Sequence, residues 1–253
     1  MKKPLALQLY SARQLAHADL PGLLEKVAQI GFSGVEFAGF YDNDPADIST
    51  LINRLGLKVV GNHVPLPSPQ DMGSVATQAR AIGCDTLIVG LGPDDYSTPE
   101  AMNESINKFR SAVAAASAYG INLAMHNHWW EFELLCQNQP VYDYIMLHVP
   151  QMLAELDIYW AFKAGSDPRQ VLSKWGHRSP LLHVKDGDLD SRNVHKAVGS
   201  GKLPMKDILN GIDFDQVQWL IVELDNCDTD IIEAVRSSYD WLVSNGFGLT
   251  LKI

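Results

Sequence analysis

The 253-residue sequence contains only three cysteines, and their spacing suggests no disulfide framework. Cys84, Cys136 and Cys227 are odd in number and far apart, which fits neither a set of disulfides nor a structural zinc site. Long apolar runs are also missing, since none approaches the roughly 18 residues that a membrane span requires. We therefore expect no membrane association.

Positive charge is scarce as well. The chain has 20 Lys and Arg against 30 Asp and Glu, a net charge of −10. A nucleic-acid backbone requires concentrated basic residues, so we expect no nucleic-acid partner but a small neutral substrate. Gln8, Tyr10 and Ser11 interrupt the apolar segment that a signal peptide would need near the start, which favours a cytoplasmic location. The composition is compatible with a homo-oligomer.

Glycine is missing from Tyr10–His17, the first loop after a predicted strand, where an open nucleotide-binding sheet usually has several. Short apolar segments alternate with helical ones along the whole chain, and we count eight of each. The length matches the roughly 250 residues of a typical (β/α)8 barrel. We predict one such barrel, a single domain over residues 1–253. Its predicted strands are Leu5–Tyr10, Gly34–Ala38, Leu57–Gly61, Thr86–Val89, Ile121–Met125, Met152–Leu156, Leu181–Asp186 and Trp219–Asp225.

Polar side chains collect where these predicted strands end, which is the edge at which barrel enzymes carry their working groups. They are Glu36, His63, His126, His128, Glu131, Asp157, His183, Lys185 and Glu223.

The stretch Met125–Glu133 is the densest of these groups, with two imidazoles and two carboxylates behind an apolar strand. Buried polar groups need partners, and a divalent metal suits imidazole nitrogen together with carboxylate oxygen. His126 and His128 alternate along the strand, so spacing does not decide which of them would bind a metal, and either could be an ordinary core histidine.

Four residues from the last four strands could share one cation, because these strands are neighbours in a barrel. They are Glu131, Asp157, His183 and Glu223. Three carboxylates and one imidazole favour Mn, Mg, Co or Fe, and Zn stays open. Taken singly, each has an ordinary structural interpretation, such as a cap, an ion pair or a core histidine. Their joint position at four strand ends favours one divalent metal.

Several segments together resemble the sugar phosphate isomerase/epimerase-like barrels, a family that includes xylose isomerase, inosose dehydratase relatives and endonuclease IV relatives. The resemblance covers essentially the whole chain. Its segments are Gln8–Ser11, Gly34–Phe37, His63–Pro65, His126–His128 with Glu131–Phe132, Leu156–Asp157 before Tyr159–Trp160, Leu182–Asp186 and Val222–Asp225.

The resemblance implies a divalent metal held by Glu, Asp, His and Glu at the ends of the last four strands. The last three correspond to Asp157, His183 and Glu223. Where relatives have the first glutamate, this chain has His126. The first ligand is then either Glu131, reaching back from the loop, or His126 itself. Glu131 is preferred because it keeps the charge of the site.

The resemblance also implies proton transfer next to the carbonyl of a free or keto sugar, catalysed by an isomerase or epimerase. The residues assigned to catalysis are Glu223, His126, His128 and Lys185. Those assigned to the substrate are Gln8, Tyr10, Glu36, His63 and Trp160. The scarcity of cations after the last two strands favours an unphosphorylated substrate.

Other functions stay open at this stage. The main alternative is a metal-dependent dehydratase or lyase acting on a keto-sugar, keto-glycoside or keto-inositol, because histidines at the fifth strand also occur in inosose dehydratase relatives. A non-catalytic sugar-binding barrel is a further one. An endonuclease IV-like DNA repair enzyme is more remote, since the acidic balance disfavours DNA binding.

Overall fold

The computed structural model describes residues 2–250, and its eight parallel strands close into a barrel. Each strand pairs with its neighbours along the chain, and pairing of the first strand with the last closes the ring. The predicted (β/α)8 barrel is therefore confirmed. The single domain over residues 1–253 stays a prediction, since residues 1 and 251–253 lie outside the described part. The strands are β1 Leu5–Gln8, β2 Gly34–Phe37, β3 Lys58–His63, β4 Thr86–Val89, β5 Asn122–His126, β6 Leu153–Asp157, β7 Leu181–Val184 and β8 Trp219–Val222.

Helices surround the barrel, and the sequence sets where several of them begin. Asp44, Thr98 and Asp167 each accept a backbone N–H with the side chain and are each followed by proline, a strong start signal. Among residues 2–250, no helix is both long and apolar enough to cross a membrane. The helices are α1 Arg13–Ile30, α2 Pro45–Leu55, α3 Met72–Ala81, α4 Pro99–Ala118, α5 Trp130–Glu133, α6 Val141–His148, α7 Ile158–Lys163, α8 Pro168–Trp175, α9 Met205–Asn210 and α10 Ile231–Ser244.

The first helix begins earlier than the sequence suggests. The sequence Asp19-Leu20-Pro21, with proline near the first turn, predicts a helix start at Asp19, but α1 begins at Arg13 and has a break at Asp19, whose φ of −162° and ψ of 83° are not helical. The side chain of Asp19 accepts from Gly22 N at 2.9 Å, so the predicted cap is real but starts a second helical segment. A short 3-10 helix, Leu9–Ala12, replaces the predicted end of the first strand.

The barrel interior explains why polar residues end up together. A small apolar cluster inside the ring contains Ala6, Ala124, Leu181 and Ile221. Side chains alternate across a strand, so the residues two positions further on face the same interior. Those residues are Gln8, His126, His183 and Glu223. The apolar layer thus lies directly below the polar layer inside the barrel.

The loop after β7 has more structure than the sequence predicted. Asp186–Gly187 pairs antiparallel with His195–Lys196. The buried Asp186 carboxylate accepts from the backbone N–H of Gly187, Gly199, Gly201 and Leu203 at 2.8–3.2 Å. One side chain therefore fixes both ends of this loop. The loop also places His195 beside the barrel mouth, where its Nδ1 accepts a hydrogen bond from the backbone N–H of Asp225 at 2.9 Å.

We expect Asp186→Asn to loosen this loop selectively. One carboxylate oxygen becomes an NH2 group facing two N–H donors, which we expect to cost about 1–3 kcal/mol. Hydrogen–deuterium exchange of residues 187–203 should accelerate while the barrel strands stay protected. Asp188→Asn is the matched control, since it weakens only the more exposed ion pairs of Asp188 with Lys196 at 2.8 Å and Arg192 at 3.8 Å. Equal exchange rates in the two variants would contradict the anchoring role.

Candidate metal centre and active site

Four side chains from four neighbouring strands converge at the carboxyl end of the barrel. Each of His126, Asp157, His183 and Glu223 is buried and offers one ligand atom, and these atoms lie within 4.8 Å of one another. Asp157 stands opposite His183 in the parallel register of β6 and β7. Strand ends of a closed barrel point into one mouth, so residues far apart in sequence meet there.

His183 is the centre of the cluster. Its Nδ1 lies 2.7 Å from Glu223 Oε2, while its Nε2 lies 3.1 Å from Glu155 Oε2 and 3.4 Å from Glu36 Oε2. Burial by itself lowers the pKa of an imidazole, but the three carboxylates outweigh it and raise the pKa of His183 well above its usual value. In the metal-free protein this ring is an imidazolium that neutralises part of the buried negative charge.

Lys185 is a second buried cation, only 1% exposed. Its ammonium lies 2.9 Å from Asp157 Oδ2, 2.7 Å from Glu223 Oε2 and 3.0 Å from Asp225 Oδ2. Burial opposes its charge, yet these carboxylates raise its pKa well above the usual value. Lys185 was predicted to be catalytic, but it does not line the cavity described below. Its geometry is that of a counter-ion between Asp157, Glu223 and Asp225.

Glu131, the preferred first ligand in the sequence analysis, is absent from this cluster. Its carboxylate is fully buried, and Oε2 accepts from the backbone N–H of His128 at 2.8 Å. Because α5 begins at Trp130, Glu131 is held within a helical turn and braces the loop. The geometry reverses the sequence-based preference: of the two candidates, His126 joins the other three residues.

The five predicted substrate contacts divide into two groups. Tyr10, His63 and Trp160 line the cavity at the barrel mouth. Gln8 and Glu36 are 0% exposed and lie below it, where the Gln8 amide donates to Glu36 Oε1. Neither residue lines the cavity; Glu36 instead contacts the cluster, with its Oε2 3.4 Å from His183 Nε2.

The cavity has a volume of about 670 Å³, within the range of small-molecule sites. His126 and Glu223 reach its floor, and His128 stands on its wall, stacked on Trp130 with ring centroids 4.1 Å apart. Trp129 lies next to this pair and 4.9 Å from the Trp160 ring. The lining residues are Tyr10, Ala38, His63, Val64, Pro65, Gly90, Leu91, Gly92, His126, His128, Trp129, Trp130, Trp160, Asn193, Glu223, Asp225 and Asn226.

The cavity histidines are neutral at physiological pH. Burial, helped by the charge of Lys185, lowers the pKa of His128 to about 3. Burial also lowers the pKa of His63, although Glu36 opposes the shift. A neutral imidazole has a nitrogen lone pair that can accept a proton or bind a metal. These rings therefore present lone pairs, and no positive charge, to the cavity.

Two buried polar residues near the cluster were missed by the sequence analysis. Glu155 contacts both His126 and His183. Asn127 joins β5 to β6, since its Oδ1 accepts from Asp157 N at 2.9 Å. Glu155 precedes Asp157 by two positions, so strand alternation alone could have placed both carboxylates on the same face.

The donor set fits a divalent cation. Two imidazoles and two carboxylates suit Zn, Mn, Fe or Co. Asp157 Oδ2 is buried without an aligned hydrogen bond and lies 2.9 Å from the Lys185 ammonium, so a bound cation would share this oxygen with Lys185. The same carboxylate caps α7 by accepting from Trp160 N with Oδ1 at 2.9 Å, which holds it in place.

The family model of the xylose isomerase-like TIM barrels matches residues 24–244, so the chain belongs to this family. Among curated protein sequences, none matches the chain significantly. A sugar phosphate isomerase/epimerase from Parabacteroides distasonis superposes with a TM-score of 0.79 at 21% identity, covering 95% of this chain and 98% of that one.

Two further solved structures share the fold. The probable 3-DHS dehydratase AsbF from Bacillus anthracis has a TM-score of 0.78 at 14% identity, over 97% of this chain and 100% of that one. The IolI protein, which was solved with a bound zinc atom, has a TM-score of 0.74 at 15% identity, over 97% of this chain and 98% of that one. At these identities the likeness shows the fold alone.

We expect the Glu131 carboxyl to make stability depend on pH. Burial raises its pKa from the ordinary 4.5 to about 8, so the folded state holds the proton more tightly than the unfolded state. Its contribution is complete below pH 4.5 and declines as pH rises towards 8, by about 1.4 kcal/mol per pH unit. Glu131→Gln cannot ionise and should escape this loss.

Urea unfolding of wild type and Glu131→Gln at pH 5, 6.5 and 8 measures the effect. All other titrating groups are common to both proteins, so the difference between their unfolding free energies isolates Glu131. The variant should gain stability relative to wild type as the pH rises. A difference that does not change with pH would contradict the raised pKa.

Proposed function

We propose that the protein is a divalent-metal-dependent isomerase or epimerase of an unphosphorylated free or keto sugar, acting by proton transfer next to the carbonyl. The observation that carries the proposal is the position of the four-residue cluster, with His126 and Glu223 reaching the floor of an aromatic-walled cavity. Membership of the xylose isomerase-like family supports the same chemistry.

His126, Asp157, His183 and Glu223 would hold the cation. When bound, a divalent cation polarises a carbonyl or hydroxyl oxygen and stabilises the negative charge that develops there. Lys185 favours the anionic form of both acidic ligands, because its ammonium contacts Asp157 and Glu223, although burial still raises the pKa of Asp157.

Proton transfer falls to the groups that face the cavity. Glu223 lines it with a carboxylate whose pKa stays well below the usual value, since Lys185 and His183 outweigh the effect of burial. His128 and His63 face it as neutral imidazoles, each able to take up a proton. An epimerase or isomerase needs one group that removes a proton from a carbon of the substrate. It also needs a second group that returns a proton to the opposite face or to the neighbouring atom.

The cavity walls suit a neutral ring. Trp129, Trp130 and Trp160 offer apolar faces, and Asn193 and Asn226 offer amides that can bind hydroxyl groups. Among residues 2–250, the side chains that line this cavity include no Lys or Arg. A phosphate group would need such a cation, so the cavity favours an unphosphorylated sugar.

A dehydratase or lyase acting on a keto-sugar, keto-glycoside or keto-inositol is the second candidate. It is favoured by His126, His128 and His63, which place three imidazoles around the cluster, with ring centroids 5.1 Å and 5.3 Å from His126. An imidazole that gains the first proton can pass it to a departing hydroxyl group. Product analysis separates the two, because only the second reaction releases water or an aglycone.

The purified protein should hold about one divalent metal per chain. Asp157→Ala and His183→Ala should lose it and keep the fold, because the apolar layers below carry most of the stability. His126→Gln should weaken metal binding, whereas Glu131→Gln should leave it unchanged, since Glu131 lies outside the cluster. Elemental analysis and metal titration measure this. Weaker binding by Glu131→Gln than by His126→Gln would restore the sequence-based preference.

The protein should exchange a carbon-bound proton of its substrate for deuterium. Incubation with keto sugars and inosose in heavy water, followed by NMR, detects this even where turnover is slow. Glu223→Gln keeps the shape but removes the charge and the proton acceptor, so the rate should fall by about 10²–10⁴-fold with a smaller change in substrate affinity. Glu100→Gln, on the exposed surface of α4, is the control. Near-normal exchange by Glu223→Gln would exclude its assigned role.

A further inference from the structure

Within residues 2–250, Glu155 is the one carboxylate that touches both imidazoles of the cluster without belonging to the four-residue group. Its Oε2 lies 3.1 Å from His126 Nδ1 and 3.1 Å from His183 Nε2. It is 0% exposed and does not line the cavity, so it cannot touch a substrate there. Burying a carboxylate this deeply is costly unless it is paired, and the two imidazoles are its partners.

We infer that Glu155 is a positioning residue that fixes the ring orientation and the tautomer of His126 for a divalent cation. The inference rests on the proposed metal centre and adds a residue that does not itself bind the metal. Glu155 Oε2 accepts from His126 Nδ1–H, whereas its contact with His183 Nε2 is an ion pair, since the Nε2–H of His183 donates to Glu36 Oε2. The opposite nitrogen of His126, Nε2, then keeps its lone pair for the cation.

The backbone fixes the position of the Glu155 carboxylate. Glu155 pairs with His126 across β5 and β6, so the two side chains leave their strands at the same level. Asp157 follows on the same strand and faces the same interior. One rigid strand thus carries a proposed ligand, Asp157, and the acceptor that orients another, His126. Orienting hydrogen bonds of this kind on metal-binding histidines affect affinity by about 10–100-fold.

A second interpretation makes Glu155 a ligand itself. Glu36, Glu155 and His183 also have potential ligand atoms within 4.8 Å of one another. Gln8 already donates to Glu36, and His183 is shared with the first group, so this set has fewer free lone pairs than the first. We therefore assign Glu155 to orientation, and metal stoichiometry distinguishes the two roles.

Two variants test the assignment. Glu155→Gln keeps one neutral acceptor, and Glu155→Leu removes both oxygens while retaining a buried side chain of similar length. The first readout needs no metal: long-range ¹H–¹⁵N correlation spectra report which nitrogen of His126 carries the proton. Wild type should show Nδ1–H, and Glu155→Leu should shift towards the Nε2–H form that free imidazole prefers. The Gln variant should stay closer to wild type.

The second readout is titration with Co²⁺, followed by visible absorption. Affinity should fall in the order wild type, Glu155→Gln, Glu155→Leu, by about 10–100-fold overall, with an altered cobalt spectrum. Glu131→Gln is the matched control, a buried carboxyl outside the cluster, and should keep the wild-type affinity and spectrum. A purely structural role for Glu155 would lower the melting temperature without moving the tautomer or the spectrum.

Three results would overturn the inference. They are a wild-type His126 with its proton on Nε2, a Co²⁺ affinity and spectrum unchanged in both Glu155 variants, and wild-type binding of two Co²⁺ ions of which the variants lose one. Failure of the proposed reaction looks different. If no carbon-bound proton exchanges while the tautomer and cobalt effects appear, Glu155 keeps its role and the sugar chemistry is wrong.

Discussion

The structure depends on the neutralisation of negative charge buried at the carboxyl end of the barrel. Glu36, Glu155 and Glu223 surround His183, and the imidazolium of His183 is held between them. Leaving such charges unpaired in the interior would cost several kcal/mol each. In the metal-free protein, His183 and the Lys185 ammonium supply the positive charge that permits this arrangement. The same arrangement concentrates metal-binding groups at one point.

The polarity of the cavity is set by this buried layer of charged residues. The floor offers carboxylate and imidazole, whereas the walls offer tryptophan faces and neutral histidines. Charge is therefore confined to the depth of the site, and the upper part is suited to a polar but uncharged ring. Glu131 contributes from outside by holding the backbone of His128, which places that ring against Trp130. A residue that seemed a ligand in the sequence thus supports the wall instead.

The loops around the barrel mouth are held by a further set of hydrogen bonds. Asp186 gathers four backbone N–H groups and fixes the loop after β7. That loop brings His195 against the backbone of Asp225, a carboxylate that also contacts Lys185. The barrel mouth and its surrounding loops are consequently one hydrogen-bonded unit, in which the residue next to the buried lysine determines the loop conformation.

Much of this could be predicted from the sequence, because alternation and strand ends follow from local chemistry. The barrel and its eight strands were predicted correctly, although residues 2–250 contain ten α-helices instead of the eight expected, and Asp157, His183 and Glu223 lie together as expected. The start of α1 was wrong by six residues, since a capping aspartate marks a break as readily as a beginning. Two short antiparallel pairs, Asp186–Gly187 with His195–Lys196 and Leu135–Cys136 with Gln139–Pro140, were missed, because two-residue strands leave too little pattern.

The sequence by itself determined the fold class and the kinds of groups at the barrel mouth, since both depend on periodicity and residue type. The tertiary structure decided which groups meet. Only the closed ring shows that His126 joins the cluster while Glu131 turns away, that Lys185 contacts three carboxylates, and that Glu155 contacts two imidazoles. These contacts join residues on different strands, and their distances are set by strand register and closure, which local sequence does not encode.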